Sequence, residues 1–365
     1  MREFSPQTPP VSAETMLRRL GELVSETGRA VTFMEVCGTH TVAIFRSGLR
    51  SLLPEGLRLL SGPGCPVCVT DQREIDMAVS LAETGRIVLT YGDMMRVPGS
   101  SNSLAGMKSA HARVEVVTSA MQAIKTAKDN PGSEVVFLGV GFETTSPGTA
   151  IAIKQAHSHG LRNFSVLCLH KTVPPAMRAL CSNTELKIDG FILPGNVTVV
   201  TGIHDYAFLT DELHKAAAVA GFEPEEILAA LVDLSRQTAA GRFGLSAYRL
   251  NDVPKAGNPA ARKILSEVFE TCDTVWRGLG KIPGSGLRVA KGYSRFDAAE
   301  RFGLNALTAL PAAKNNNCRC GEILTGLLAP PECELYGTAC TPTNPIGPCM
   351  VSGEGTCGAW HRFNR

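Results

Sequence analysis

The chain has 365 residues, 44% of them hydrophobic and 19% charged, which is enough apolar side chain for a real core and excludes a disordered polymer. Lys and Arg number 36 against 34 Asp and Glu, and a net charge of +2 gives no argument for a nucleic-acid or membrane-surface partner. The length is that of two or three domains.

No apolar run approaches the roughly 20 residues of a membrane helix. The opening MREFSPQTPP lacks a charged-then-apolar leader pattern. A soluble, cytoplasmic protein is expected, with no membrane and no nucleic acid in its function.

In chain order, short apolar runs at 31–36, 57–60, 87–91, 135–140, 164–169 and 191–193 alternate with helix-like stretches. Most runs are continuous rather than alternating, as in strands buried on both faces of a parallel sheet. Asp71 and Glu74 have capping-box spacing ahead of Ile75, Ala78, Val79 and Ala82. Thr118 would cap a helix to about 127, and Ser146-Pro147 would cap and open one to about 159. The stretch 200–300 reads as mainly helical, with helices over 225–237 and 259–272, and the run Trp276-Arg-Gly-Leu-Gly-Lys-Ile-Pro-Gly-Ser-Gly286 reads as loop. From Pro311 periodicity disappears. The pattern predicts an α/β protein with two parallel-sheet lobes divided near 130–134, plus an irregular, mainly helical cysteine-rich domain. The expected divisions are 1–30, an N-terminal helical segment; 31–130, lobe I; 131–220, lobe II; and 221–365, helical and cysteine-rich.

The unusual motifs follow the predicted strands. They are Cys37-Gly-Thr-His40, Gly62-Pro-Gly-Cys65-Pro-Val-Cys68, Tyr91-Gly-Asp93, Gly139-Val-Gly-Phe-Glu143-Thr, His170-Lys171-Thr172 and Pro194-Gly-Asn196. Carboxyl ends of strands form the ligand crevice of open α/β sheets, so six such loops point to one shared site. Cys65 and Cys68 have the spacing of a redox pair or of two metal thiolates. The helix opened by Asp71 favours a nearby thiolate. Cys37 with His40 suits a metal-ligand pair or a thiolate with its base. Gly139-Val-Gly141 is a weak dinucleotide fingerprint, because Thr stands where the third Gly belongs. His157 and His159 read as surface residues, and Cys168, Cys181 and Cys272 as small hydrophobes.

Twelve cysteines are unusual for a reducing compartment, and six of them (Cys318, Cys320, Cys333, Cys340, Cys349 and Cys357) lie in the last 48 residues. Their spacing lacks the paired C-x2-C knuckles of zinc ribbons and the bacterial ferredoxin run. Zinc, an iron–sulfur cluster and a redox thiol set all remain open on spacing. So irregular a segment needs a metal or a covalent staple in place of a hydrophobic core.

Taken together, the motifs around Cys37, Cys65 and Cys68, with Gly141-Phe-Glu-Thr-Thr145, Trp276-Arg-Gly-Leu-Gly280, Cys318-Arg-Cys-Gly-Glu322, Cys340-Thr-Pro, Gly347-Pro-Cys-Met-Val-Ser and Glu354-Gly-Thr-Cys357, resemble the hydrogenase maturation family HypD. The similarity runs from about residue 15 onward. The resemblance implies two α/β lobes and an iron–sulfur domain. It implies a scaffold on which the Fe(CN)2CO unit of [NiFe]-hydrogenases is built with HypC as partner and HypE as cyanide donor, in a transient HypCDE complex. It implies iron held by Cys37, a Cys65/Cys68 dithiol, a [4Fe-4S] cluster on Cys318, Cys333, Cys340 and Cys357, and a second thiol pair in Cys320 and Cys349. The family has His where Asn196 stands, which removes a proton-transfer group there. His40, Asp93, Glu143 and Lys171 would orient or hydrogen-bond the diatomic ligands. Electron exchange between cluster and dithiol requires the C-terminal domain to fold back on the Gly62–Cys68 loop. Two other classes are a free-standing thiol–disulfide oxidoreductase using Cys65 and Cys68, and a zinc-stapled binding module.

Overall fold

The computed structural model describes residues 12–183, 185–247, 255–308 and 317–363. Residues 1–11 of the expected N-terminal segment, the start of the expected tail at 311–316 and the last two residues lie outside these. The first described helix, Ala13–Glu26, begins at a Ser12 cap and buries Met16, Leu20, Leu23 and Val24 at helical spacing.

The continuous apolar runs form strands: β1 (Val31–Glu35), β2 (Leu57–Ser61), β3 (Ile87–Thr90), β4 (Val114–Val116), β5 (Val135–Gly141), β6 (Phe164–His170), β7 (Gly190–Pro194), β8 (Ala216–Ala220) and β9 (Leu245–Ala247). All their pairings are parallel. One sheet has the order β2-β1-β7-β8-β9 and the other β4-β3-β5-β6. Sheet membership therefore does not change at 130–134. The chain leaves the first sheet after β2, builds the second, and returns at β7, where Met34 faces Phe191. Local patterning marks each strand but carries no information about pairing across some 150 residues, so a serial division was the wrong inference.

Three further expectations fail between 200 and 300. Ala216–Ala220 has a helical composition but is a strand with every residue buried, because small side chains fit between β7 and β9. The helix from Pro259 stops at Val268, and the chain then forms an antiparallel hairpin of β10 (Phe269–Trp276) and β11 (Gly280–Val289), so most of the run 276–286 expected as loop is strand, its glycines notwithstanding. Its Thr- and Val-containing alternation was the available signal. Gly278 makes the turn at φ +83°, and a Cβ there would enter the backbone of Gly321.

Other local readings hold. Asp71 and Glu74 form the capping box of the helix Gln72–Glu83, with Asp71 N donating to Glu74 Oε2 at 2.7 Å. Pro224 opens the helix Pro224–Ala240, which ends at a left-handed Gly241. Two caps slip by one residue: Ser119 caps the helix Ala120–Asp129, and Ser146 is the first residue of Ser146–Ser158.

The segment after 317 folds back as electron exchange would require. Its helix Pro348–Val351 packs on Pro66–Val69, and Cys68 Sγ lies 3.9 Å from Pro348 O. The hairpin turn joins the same junction. Arg277 N donates to Val69 O and Arg277 Nε to Thr70 O, both at 2.8 Å. Among the described residues no helix is long and apolar enough to cross a membrane.

Candidate functional site

Cys37 caps the helix Gly38–Arg46 at the end of β1 and is buried. Its backbone N–H donates to Glu35 Oε2 at 3.1 Å, and Thr41 Oγ1 donates to Glu35 Oε1. Gly64 lies flat against the Cys37 backbone, leaving no room for a side chain, and Gly38 N donates to Gly64 O at 3.0 Å. Glycine there brings the Cys65 loop against Cys37. Burial pushes the Cys37 thiol up to about 11 and the Glu35 carboxyl up to about 7. Cys37 is thus a neutral thiol until a cation binds it.

Cys65 and Cys68 form a disulfide with Cα atoms 5.2 Å apart, both sulfurs buried. This is the pairing that their spacing allows.

His40 is fully buried against Phe222, with ring centroids 5.0 Å apart, and burial lowers its pKa to about 4. Its Nε2 contacts the Gly221 carbonyl at 2.7 Å, which assigns the proton to Nε2 and leaves Nδ1 a bare, unpartnered acceptor. Glu143 follows β5. Its Oε1 accepts from Val173 N at 2.8 Å, its Oε2 is buried without a partner, and burial raises its pKa to about 7.

Three other predicted crevice residues are engaged differently. Lys171 is buried with its Nζ 2.9 and 3.0 Å from the Glu74 oxygens and 3.3 Å from Thr274 Oγ1. It is a cross-tie between β6, a capping box and the hairpin, with its ammonium already committed. Asp93 is exposed and accepts from Ser352 Oγ at 2.7 Å, so it latches the C-terminal segment. Asn196 is exposed, and its Oδ1 accepts from Val197 N at 2.9 Å.

Glu35, Tyr206 and Glu354 were missed as site residues. Glu35 had a signal, a lone carboxylate inside an otherwise apolar strand. Glu354 accepts from Thr39 Oγ1 at 2.7 Å, so the chain between Cys349 and Cys357 touches the helix that Cys37 caps. Tyr206 is fully buried, its hydroxyl unpartnered. Burial raises its pKa well above the ordinary value, with the Glu143, Asp205 and Cys37 charges adding to the shift.

All six C-terminal cysteines line one hollow of about 20 Å³, with Ile323, Leu335, Tyr336 and Met350 among the other walls. The Cys318 and Cys349 thiols interact with Cys320 and hold it toward thiolate, and Cys349 also interacts with Cys357. Among the described residues no three His, Cys, Asp or Glu side chains converge on a point where one metal ion could sit. Soft donors arranged around a space rather than a point fit a cluster that takes one thiolate per iron. The hollow is water-sized, so such a group would replace thiol–thiol contacts rather than fill a ready cavity.

A family model, HypD, described as the hydrogenase formation hypA family, matches residues 12–364. The chain belongs to the HypD family. Curated relatives agree over nearly their whole length. The hydrogenase maturation factor HypD of Rhodobacter capsulatus is 41% identical over 361 residues, covering 97% of this chain and 96% of the relative. That of Cupriavidus necator is 44% identical over 347 residues, 93% and 91% of the two chains. That of Escherichia coli strain K12 is 40% identical over 354 residues, 96% and 94%. Membership in the HypD family agrees with the resemblance carried by the motifs at Cys37, Cys65–Cys68 and Glu143.

Proposed function

We propose that this chain is a [NiFe]-hydrogenase maturation scaffold. On it the Fe(CN)2CO unit is assembled as cargo between Cys37 and HypC, with cyanide delivered by HypE in a transient HypCDE complex in the cytoplasm. The observation that carries this reading is the adjacency of three thiol systems: Cys37 against the Gly64 backbone, the Cys65–Cys68 disulfide one residue on, and the six-thiol hollow joined to it through Pro348. Low-spin iron carrying cyanide and carbon monoxide suits a soft thiolate, and iron itself would draw the proton from the buried Cys37 thiol.

Releasing a cyano group from a thiocyanate as cyanide takes up two electrons and leaves a thiolate. Oxidation of the Cys65 and Cys68 thiols to their disulfide yields two electrons and two protons, so one dithiol balances one cyanide. Cys318, Cys333, Cys340 and Cys357 would hold a [4Fe-4S] cluster, with Cys320 and Cys349 as a second thiol pair beside it. When bound, such a cluster supplies single electrons at low potential. The buried disulfide is shielded from solvent, which keeps its reduction under the control of the packed C-terminal segment.

Cys37→Ala should abolish the infrared bands of iron-bound cyanide and carbon monoxide while the visible absorption of the cluster persists. Unchanged bands would defeat the iron-ligand role. The Cys65→Ser, Cys68→Ser double variant should keep the cluster yet fail to mature hydrogenase, because serine forms no disulfide. Full maturation by that variant would defeat the redox role.

A further inference from the structure

Arg277, in the hairpin turn, reaches the chain immediately after the disulfide. Its backbone N–H donates to Val69 O and its Nε to Thr70 O, both at 2.8 Å, and Trp276 forms an antiparallel bridge with Thr70. Cys68, Val69 and Thr70 are wholly buried. On its other side the turn lies on Gly321, next to Cys320, since a Cβ on Gly278 would come within 2.3 Å of Gly321 Cα. Arg277 therefore stands between the two sulfur systems, tied to one by hydrogen bonds and set against the other by glycine packing on glycine.

Its charge has no carboxylate partner. Arg277 Nη2 is shut from solvent without an acceptor, and no ion pair joins the residue among the described residues. The two carboxylates that follow Thr70 are engaged elsewhere: Asp71 pairs with Arg73 at 2.7 Å and Glu74 with Lys171 at 2.9 Å. A guanidinium nitrogen buried without an acceptor costs free energy until an anion arrives. Cys65 and Cys68 form a disulfide here, which is neutral. Adding two electrons breaks its S–S bond and leaves two thiolate sulfurs, which then compete for protons. The oxidised pair thus lacks the anion that the reduced pair supplies, two residues before the Thr70 carbonyl that Arg277 holds.

We propose that Arg277 is a positioning residue for the redox pair: it fixes the turn after Cys68, and its unpaired charge stabilises the thiolate formed there when the disulfide is reduced. This role rests on the redox part of the maturation reading and adds to it the residue that sets how readily the pair accepts electrons. A fixed cation in a partly buried site favours a neighbouring thiolate by on the order of tenfold. Stabilising the reduced form makes the disulfide easier to reduce. The same charge also favours thiolate at Cys320, on the far side of the turn.

The test uses the full chain, purified without oxygen and equilibrated in dithiothreitol redox buffers, with each thiol scored by alkylation and peptide mass spectrometry. Arg277→Gln keeps an amide donor for the Thr70 carbonyl and removes the charge. Its Cys65–Cys68 disulfide should require a buffer about tenfold more reducing than wild type, a fall in potential of about 30 mV for two electrons. Arg277→Lys keeps the charge without the planar fork and should recover most of the shift. A folded Gln variant reduced with the wild-type equilibrium constant overturns the inference and leaves the redox reading standing. A Lys variant displaced tenfold, whether or not the Gln variant folds, also overturns it, because the guanidinium contacts rather than the charge would then set the potential. A shift confined to Cys320 and Cys349 assigns the charge to the C-terminal thiols and overturns it too. A wild-type Cys65–Cys68 pair that stays oxidised at every buffer ratio defeats the redox reading and this inference with it.

Discussion

Strand β5 and the segment 317–363 are held in place in opposite ways. All seven residues of Val135–Gly141 are buried, and the strand is paired on both sides by β3 and β6. The cysteine-rich segment has no helix longer than the eight residues of Thr356–Phe363, and its backbone hydrogen bonds mostly close local turns. Five of its buried side chains are thiols, beside Ile323, Leu324, Met350, Val351 and Ala359. A sheet lobe earns its stability from apolar area, about 25 cal/mol per Å². The cysteine segment must draw on whatever its thiols bind and on docking to the lobes. The two regimes meet at Cys37, the Cys65–Cys68 loop and the hairpin turn.

The largest effect should come from removing a thiol. Cys333→Ala or Cys340→Ala should lose iron and sulfide and expose 317–363 to protease, while the lobes keep their far-ultraviolet circular dichroism. On the proposed reading, metal-linked folding energy would be confined to the segment that has no core of its own. A variant retaining four irons would remove its cysteine from the ligand set. Simultaneous collapse of the lobes would show that the two regions fold as one unit.

A smaller effect should separate the lobes from their surface. Lys171→Met leaves Glu74 without its buried ammonium and should cost about 3–5 kcal/mol by urea titration. The exposed pair Arg178–Glu212, at 2.6 Å, has equally good geometry. Arg178→Met should nevertheless cost less than about 1 kcal/mol, because solvent screens it. Equal costs would mean that the Lys171 tie contributes no more than a surface pair.

How much of this was legible depends on the range of the information. The strand ends bearing Cys37, Cys65, Glu143 and Lys171 were readable because two-face burial leaves continuous apolar runs. The capping box at Asp71 and Glu74 was readable because its partners are three residues apart. Partner choice was not. Nothing near Met34 announces Phe191, and nothing near Lys171 announces Glu74, 97 residues earlier. For that reason Lys171 was placed in the crevice when its charge is spent on structure. The burial of Tyr206 gave no signal, since its stretch reads as helix. Glu35 could have been found, because a carboxylate buried on both faces of a sheet requires an explanation.

The smallest effect is a pH dependence confined to the lobes, because the buried groups Glu35, Glu143, His40 and His170 all belong to them. Burial raises the two carboxyls from an ordinary 4.5 to about 7. Below pH 4.5 they are protonated in both folded and unfolded chains. As pH climbs from 4.5 to 7 the unfolded chain ionises first, so their contribution to stability is lost. Burial lowers the two histidines from 6.5 to about 4. Their contribution is intact above pH 6.5 and is lost as pH falls toward 4, because only the unfolded chain takes up the protons. Each group changes stability by on the order of 1 kcal/mol per pH unit inside its window. Between pH 4.5 and 6.5 two falling and two rising contributions oppose each other, so wild-type stability should be nearly flat there. Single variants should tilt it. Glu143→Gln removes one falling contribution, so its stability should rise relative to wild type from pH 4.5 to 7. His170→Gln removes a rising one and should tilt the difference the other way from pH 4 to 6.5. Urea midpoints across this range would decide the matter. Curves parallel to wild type for both variants would mean that these groups titrate alike in the folded and unfolded chains and that the lobes hold them in contact with water.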